Sequence, residues 1–236
     1  MDIFVDNKKV VEKESELISD IIELKGSRVI ELGCGSGGFA IEASKRLGVK
    51  KYIGCEVDVC QHRNNLLGTV QSGVEFVYAG AENIPFPDDF FDYVFMFKSL
   101  HHVPVGAMPR ALSEIARVLK SGGVAWISEP VYKGDFNDLV KIFNDERVVR
   151  GKAFEAVCDA VEKKIFNLRQ QVFFHLKREF SSFVDFETKV VNVTHSDNSM
   201  SDESYTLLRE IYSKFSDCTG RTEFLAPMRV DVLEKL

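Results

Sequence analysis

The sequence predicts an α/β protein built on a doubly wound, mostly parallel sheet, and three observations carry that expectation. Strand-like and helix-like segments alternate through the first 129 residues. A glycine-rich turn joins the first strong strand to a helix. The segment Phe90 to Phe97 is apolar except for Asp92, as suits a strand covered on both faces.

Leu17, Ile18, Ile21, Ile22 and Leu24 recur at helical spacing, so residues 12–25 read as an amphipathic helix that Gly26 ends. Val29 to Leu32 is a short strand and Gly33 to Gly38 a turn. Phe39, Ala43 and Leu47 then fall at i, i+4 and i+8, a helix with Gly48 as its stop. Lys51 to Cys55 reads as strand, Val59 to Val70 as helix and Val74 to Tyr78 as strand. A loop holding Pro85 and Pro87 leads into the apolar run Phe90 to Phe97. Met108, Leu112, Ile115 and Leu119 mark a helix over 108–119, and Gly122-Gly123 separates it from a strand at Val124 to Ser128. Beyond Pro130 the pattern changes. Phe154, Val157, Cys158, Val161, Ile165 and Leu168 lie on one face of a long helix. Gln171 to Phe180 and Thr222 to Leu233 are rich in β-formers and read as strands, with a helical segment over 201–215 between them. No stretch rich in Gly, Ser or Pro interrupts the chain. Residues 1–236 therefore read as one domain, with 27–129 as its recognisable half and 130–236 as an extension.

Of the 236 residues, 45% are apolar, 28% are charged and only 6 are Pro, a composition that buries a core and argues against extensive disorder. The net charge is −6 and neither half has an excess of Lys and Arg, so a nucleic-acid partner is not expected. The cysteines at 34, 55, 60, 158 and 218 include no C-x-x-C pair and no His-linked zinc spacing, which argues against a disulfide scaffold or a structural metal. No apolar run is long enough to span a membrane, and Met1 to Val10 lacks a secretory core. A soluble, cytoplasmic protein without a membrane partner is expected.

The segment Glu31-Leu32-Gly33-Cys34-Gly35-Ser36-Gly37-Gly38 carries the most chemistry. Gly33, Gly35 and Gly38 satisfy G-x-G-x-x-G, the spacing that brings a dinucleotide pyrophosphate against backbone at a helix amino terminus. Gly33, Gly35 and Gly37 equally satisfy E-x-G-x-G-x-G. The glycines alone do not separate the two, but Glu31 helps to. A carboxylate at the end of the first strand repels a pyrophosphate and suits a ligand that brings an ammonium and a sulfonium.

Val29 to Gly37, reading VIELGCGSG, resembles the first motif of the class I S-adenosylmethionine-dependent methyltransferases, and further matches follow in the family's order over roughly residues 27–129. Gly54-Cys55-Glu56 resembles the end of the second strand, where an acidic residue holds the ribose hydroxyls. Ala81 to Pro87 resembles the adenine-side loop. Phe91 to Val94 and Ser99 to Val103 resemble the fourth strand and the loop after it, and Glu114 to Gly123 the helix and turn before the fifth. The resemblance implies S-adenosyl-L-methionine as cofactor and S-adenosyl-L-homocysteine as product. It implies that Glu31, Gly33, Cys34, Gly35 and Gly37 bind the cofactor, together with Glu56, Val57, Ala81, Glu82 and Lys98. It also implies a seven-stranded Rossmann-like sheet whose last strand is antiparallel, for which Thr222 to Leu233 is the candidate; residues 130–236 are expected to supply a helical cap and the final strands. One position departs from the family pattern. The Asp that commonly precedes the Ala of the adenine loop is Gly80 here, which leaves Glu82 or the Ala81 backbone to meet the adenine.

A methyl group on a sulfonium is already activated, so the protein has to align the acceptor, exclude water and, where needed, remove a proton. His101 and His102 follow the fourth strand, at the end of the sheet where such folds bind ligands, and either is a candidate base. The alternative is a ring packed beneath the loop. Glu129 and Tyr132, after the fifth strand, are candidates for holding a small-molecule acceptor, as is His195 in the polar loop Thr194 to Asp197. A turn carboxylate and a half-buried ring are the plainer reading of Glu129 and Tyr132. Asp145-Glu146-Arg147 reads as a solvated helix face or a local ion network, and Cys34 as a small residue packed beneath the cofactor. Phe136, Phe143, Phe154, Phe173 and Phe174 read as core or as the lining of an apolar acceptor cavity. No metal site is expected. The expected function is methyl transfer to a small molecule; a catalytically silent cofactor-binding module and a nicotinamide-dependent oxidoreductase are the alternatives.

Overall fold

The computed structural model describes residues 1–6, 9–68, 71–193 and 198–236. Its strands are β1 (Val10–Val11), β2 (Arg28–Leu32), β3 (Lys51–Glu56), β4 (Val74–Tyr78), β5 (Phe91–Phe97), β6 (Leu119–Pro130), β7 (Phe166–Phe180) and β8 (Thr222–Lys235). They form one sheet in the order β1-β7-β8-β6-β5-β2-β3-β4. Neighbours are parallel except for β8, which is antiparallel to both β6 and β7. The doubly wound sheet and its antiparallel last strand are thus as the sequence predicts. The strand beyond the seven is β1, two residues of the leader paired with His175 and Leu176.

The helices are α1 (Ser15–Ile21), α2 (Gly38–Arg46), α3 (Val59–Leu67), α4 (Met108–Val118), α5 (Asp135–Val140), α6 (Arg147–Glu162), α7 (Phe183–Phe186) and α8 (Asp202–Phe215). Short 3-10 turns occupy Leu100–His102 and Val105–Ala107, and a π turn Glu187–Val191. Among the described residues no helix is long and apolar enough to cross a membrane. Start signals are local: Asp58 Oδ1 accepts from the amides of Cys60 and Gln61 at the head of α3, and Ser201 Oγ from Ser204 at the head of α8. Two helices are shorter than their apolar spacing suggests. α1 ends where Ile22 turns extended, and Ile22 and Leu24 reach the core from that extended segment. α3 ends at Gly68, and Val70 lies outside the described residues.

α6 differs more. Its pattern runs to Leu168, but the helix stops at Glu162, where Lys164 takes φ 59°. The Ile165 amide bonds back to Ala160 O and that of Lys164 to Val161 O, the paired bonds that close a helix on a left-handed residue. Ile165 and Leu168 still pack on the same core, from the turn and from β7, so helical spacing could not reveal the change.

Each sheet face buries its own cluster. Ile30, Leu32, Ile53, Val94, Ala125 and Ile127 meet Leu112 and Ile115 of α4 and Val157 of α6. Val29, Tyr52, Phe95, Trp126 and Val232 meet Leu17 and Ile18 of α1 and Ala40 of α2. Burying each large apolar side chain stabilises the fold by about 1.5–3 kcal/mol before entropy is counted. A third cluster stands apart. Pro130, the last residue of β6, pairs with Met228, which pairs with Phe174, so β7 beyond Phe174 and β8 before Met228 project past the end of β6 as a hairpin. On that hairpin Phe180 and Phe224 pack with Leu139 of α5, Phe186 of α7, and Leu208 and Tyr212 of α8. This is the helical cap, with a core of its own.

Candidate functional site

The carboxyl end of β2 delivers the glycine turn, and the amides of Gly33 and Cys34 both bond Cys55 O at 2.9 Å. Gly33 has φ +73°, and a Cβ there would lie 2.7 Å from the Cβ of Ser99, so the turn and the loop after β5 touch at this point. Ser99 Oγ strengthens the junction by donating to Leu32 O at 2.8 Å. Gly35 has φ +51°, and a Cβ added to it would meet nothing within 4 Å, so this side of the turn is an open cradle. The Gly35 amide donates to Glu56 Oε2 at 2.8 Å, and Glu56 Oε1 accepts from the amides of Val57 (2.8 Å) and Asp58 (2.9 Å). Asn65 on α3, which the sequence reading missed, donates through Nδ2 to Gly35 O at 2.7 Å and is steadied by Gln61. Its signal was a buried Asn within a polar helix, 30 residues from its partner. Cys34 is buried beside Gly54, and burial above all pushes its thiol far up, so it packs as a neutral group.

Glu31 lies beneath the turn, fully buried, and accepts from Tyr52 Oη at 2.8 Å. Burial raises its pKa to about 8, against the opposing pull of the Tyr52 hydrogen bond and the Lys98 charge. Lys98 itself takes φ +55°, and its amide donates to Ser128 O at 2.7 Å. On the adenine-side loop, a Cβ on Gly80 would fall 2.5 and 2.7 Å from the carboxylate oxygens of Glu82, so Glu82 fills the space that a side chain at position 80 would take. Ala81 is buried. Arg117 of α4 holds the loop by donating to Ile84 O and Phe86 O.

The two histidines part company. His101, buried, sits between two carboxylates: Nδ1 is 2.5 Å from Glu129 Oε2, and Nε2 is 3.7 Å from Glu146 Oε1. Burial works against a charged ring, but Glu129 and then Glu146 outweigh it and the His101 pKa is raised. Burial likewise raises Glu129 while the His101 charge lowers it, and the lowering wins. Glu129 Oε1 also accepts from the Leu100 amide at 3.0 Å, so this carboxylate faces the loop rather than solvent. Glu146 belongs to an ion network with Arg150 (2.6 Å), which bonds Asn137 in turn. His102 is exposed, its ring centroid 4.1 Å from that of His101. Tyr132 is half-buried, with its hydroxyl on Asp145. His195 lies outside the described residues. Phe136 and Phe143 pack in the cap core, Phe174 in the sheet core, and Phe154 under the Arg229 guanidinium at 4.3 Å.

The cradle has the character of a site for a cationic ligand. It is open at Gly35, its amide there is already taken by a carboxylate, and Glu31 and Lys98 lie close enough to feel each other's charge. Glu56 retains lone pairs for hydroxyl donors. A pyrophosphate would need the very amide that Glu56 occupies.

Residues 29–123 match the family model described as a methyltransferase domain. The phthiotriol/phenolphthiotriol dimycocerosates methyltransferase 1 of Mycobacterium ulcerans is 38% identical over 107 residues, 43% of this chain and 37% of that protein. The fatty-acid O-methyltransferase of Mycolicibacterium smegmatis is 36% identical over 106 residues, 43% of this chain and 36% of that protein. The chain thus matches little more than a third of these relatives' length. Among solved structures, a Bacillus halodurans protein described as a candidate methyltransferase superposes with TM-score 0.65 at 22% identity, covering 94% of this chain and 98% of that one. The [4+2]-cyclase SpnF does so with TM-score 0.59 at 18% identity, covering 94% and 79%. At such identities these likenesses speak for the fold.

Proposed function

We propose that this chain, whose residues 29–123 match a methyltransferase-domain model and whose sheet is Rossmann-like, binds S-adenosylmethionine and transfers its methyl group to a small-molecule acceptor. The observation that carries the reading is the pair of acids at the glycine turn: Glu56 occupies the Gly35 amide that a pyrophosphate would need, and Glu31, buried near it, would ionise against a bound cation. When bound, the cofactor supplies an electrophilic methyl group. Glu56 would hold the ribose, Gly33 to Gly37 the amino-acid end with Glu31 and Lys98, and Ala81 and Glu82 the adenine.

His101 is the positioning residue: pinned by Glu129, it fixes the loop that carries His102. Proton removal from the acceptor is assigned to the His102 position, which solvent and acceptor can reach. The cap would select the acceptor, because the family match ends at residue 123, before the carboxyl end of β6 and everything built on the projecting hairpin. The phthiotriol and fatty-acid names of the relatives make an apolar molecule with an oxygen nucleophile the first class to screen. Calorimetry of the folded chain with S-adenosylmethionine and S-adenosylhomocysteine tests the proposal, and absence of binding to both would end it. A second reading keeps the binding and loses the transfer, and the cyclase on the same fold gives it substance. Binding with no methyl transfer across a lipid and metabolite panel would favour it.

A further inference from the structure

His101, His102 and Glu146 each offer a ligand atom, and these atoms lie within 4.8 Å of one another. From their arrangement we propose a binding site for a divalent transition-metal ion, held by the two imidazoles and one oxygen of Glu146. His101 Nε2 and Glu146 Oε1 are 3.7 Å apart. That is beyond a good N–H···O bond of about 3.2 Å at most, and close to the roughly 3.4 Å between two ligands on a tetrahedral ion with bonds near 2.1 Å. Both ligands are oriented from behind. Glu129 Oε2 lies within hydrogen-bond reach of His101 Nδ1 and orients the ring, the second layer that metal-binding histidines use, so an ion that displaces the proton of Nε2 finds its lone pair there. Arg150 donates through Nε and Nη2 to Glu146 Oε2 at 3.0 and 2.6 Å, leaving Oε1 toward His101, with Asn144 Nδ2 on one of its lone pairs at 3.0 Å. His102 is exposed and its ligand atom lies within 4.8 Å of the other two, so three protein ligands would hold the ion and leave a coordination position toward solvent. Two imidazoles and one carboxylate with open positions suit Zn2+, Fe2+ or Mn2+ and do not suit Mg2+, which asks for oxygen ligands.

The sequence concealed this site because Glu146 comes from the start of α6, more than 40 residues from the histidines of the loop after β5. Its use in catalysis rests on the methyl-transfer reading: an acceptor oxygen on the ion would lose its proton more readily than in water, and with His102 bound to the ion that proton would pass to water in place of the imidazole. The binding itself does not. The full chain, freed of metal with a chelator, is titrated calorimetrically with Zn2+ alone, with Mg2+ alone, and separately with S-adenosylmethionine. One Zn2+ per chain and no Mg2+ are expected. His102→Ala should weaken Zn2+ binding at least about tenfold and Glu129→Gln by roughly 10- to 100-fold, with circular dichroism confirming that each variant is folded. Should Glu129→Gln not fold, His102→Ala decides alone, since its side chain is on the surface. No Zn2+ binding by a chain that still binds S-adenosylmethionine overturns the site and leaves methyl transfer standing, as does Zn2+ affinity unchanged in His102→Ala or matched by Mg2+. Zn2+ binding intact without cofactor binding does the reverse.

Discussion

The ionisation of Glu31 sets how the cradle behaves. With its pKa at about 8 against an ordinary 4.5, the folded chain holds one more proton than the unfolded chain between those values. Stability from this group therefore falls as pH rises through that window, by up to about 1.4 kcal/mol per unit, and levels off above it. Glu31→Gln should remove the slope, which urea midpoints for both proteins at pH 5, 7 and 9 will read; parallel curves would count against it. A cation held by Glu31 calls for the ionised form, so cofactor binding at pH 7 should expel a proton. Calorimetry in two buffers of different ionisation enthalpy measures it, and identical heats would detach Glu31 from the ligand. Glu56→Ala should weaken cofactor binding by on the order of 1.5–3 kcal/mol and also lower stability, because three backbone amides lose their acceptor. Unchanged affinity in a folded variant would remove Glu56 from the site. These two acids were legible because motif spacing fixes where a strand ends. The partners of His101 were not, since Glu129 and Glu146 arrive from separate elements and only the packed chain brings them together.

Among the elements, most strands of residues 27–129 were read closely, because Gly, Pro or a turn bounds them, but β6 starts at Leu119 and runs through Gly122-Gly123, which the sequence suggested as a turn before a strand at Val124. α6 was not read closely either, and its end shows why. Lys164 closes the helix at φ 59°, a conformation that costs a non-glycine residue about 1–2 kcal/mol. A β-branched side chain fits it worse, so Lys164→Val should lower the melting temperature, whereas Lys164→Gly should leave it unchanged or raised. Thermal denaturation of both variants checks this, and a destabilised glycine variant with an unaffected valine one would reverse the account. The projecting hairpin was legible only as two β-rich runs. Nothing in either run states that it extends past its neighbours, because strand length is set by pairing and β6 ends at Pro130.

For the molecule as a whole, the cap core is separate from the two sheet clusters, so the halves should differ in local stability. Phe186→Ala, which removes a fully buried ring, should cost about 3–5 kcal/mol locally. Hydrogen exchange should then quicken over residues 180–215 while the amides of β2 and β5 stay protected. Uniform loss of protection would mean that the molecule opens as one unit. The same division explains what sequence could reveal: the half proposed to hold the cofactor carries motifs because backbone turns would have to fit it, while the half proposed to select the acceptor carries only apolar spacing.

β8, lying between β6 and β7, also sets an order of assembly. During synthesis the glycine turn and strands β2 to β6 leave the ribosome well before residues 222–235, so five strands can pair while β7, with only the two residues of β1 beside it, waits for β8 to join it to them. Until the last strand slots in, β6 exposes an unpaired edge and the cap hairpin does not exist. A nascent chain stalled short of residue 222 would therefore present the glycine turn on a sheet with an open edge at β6, a template for pairing with other chains.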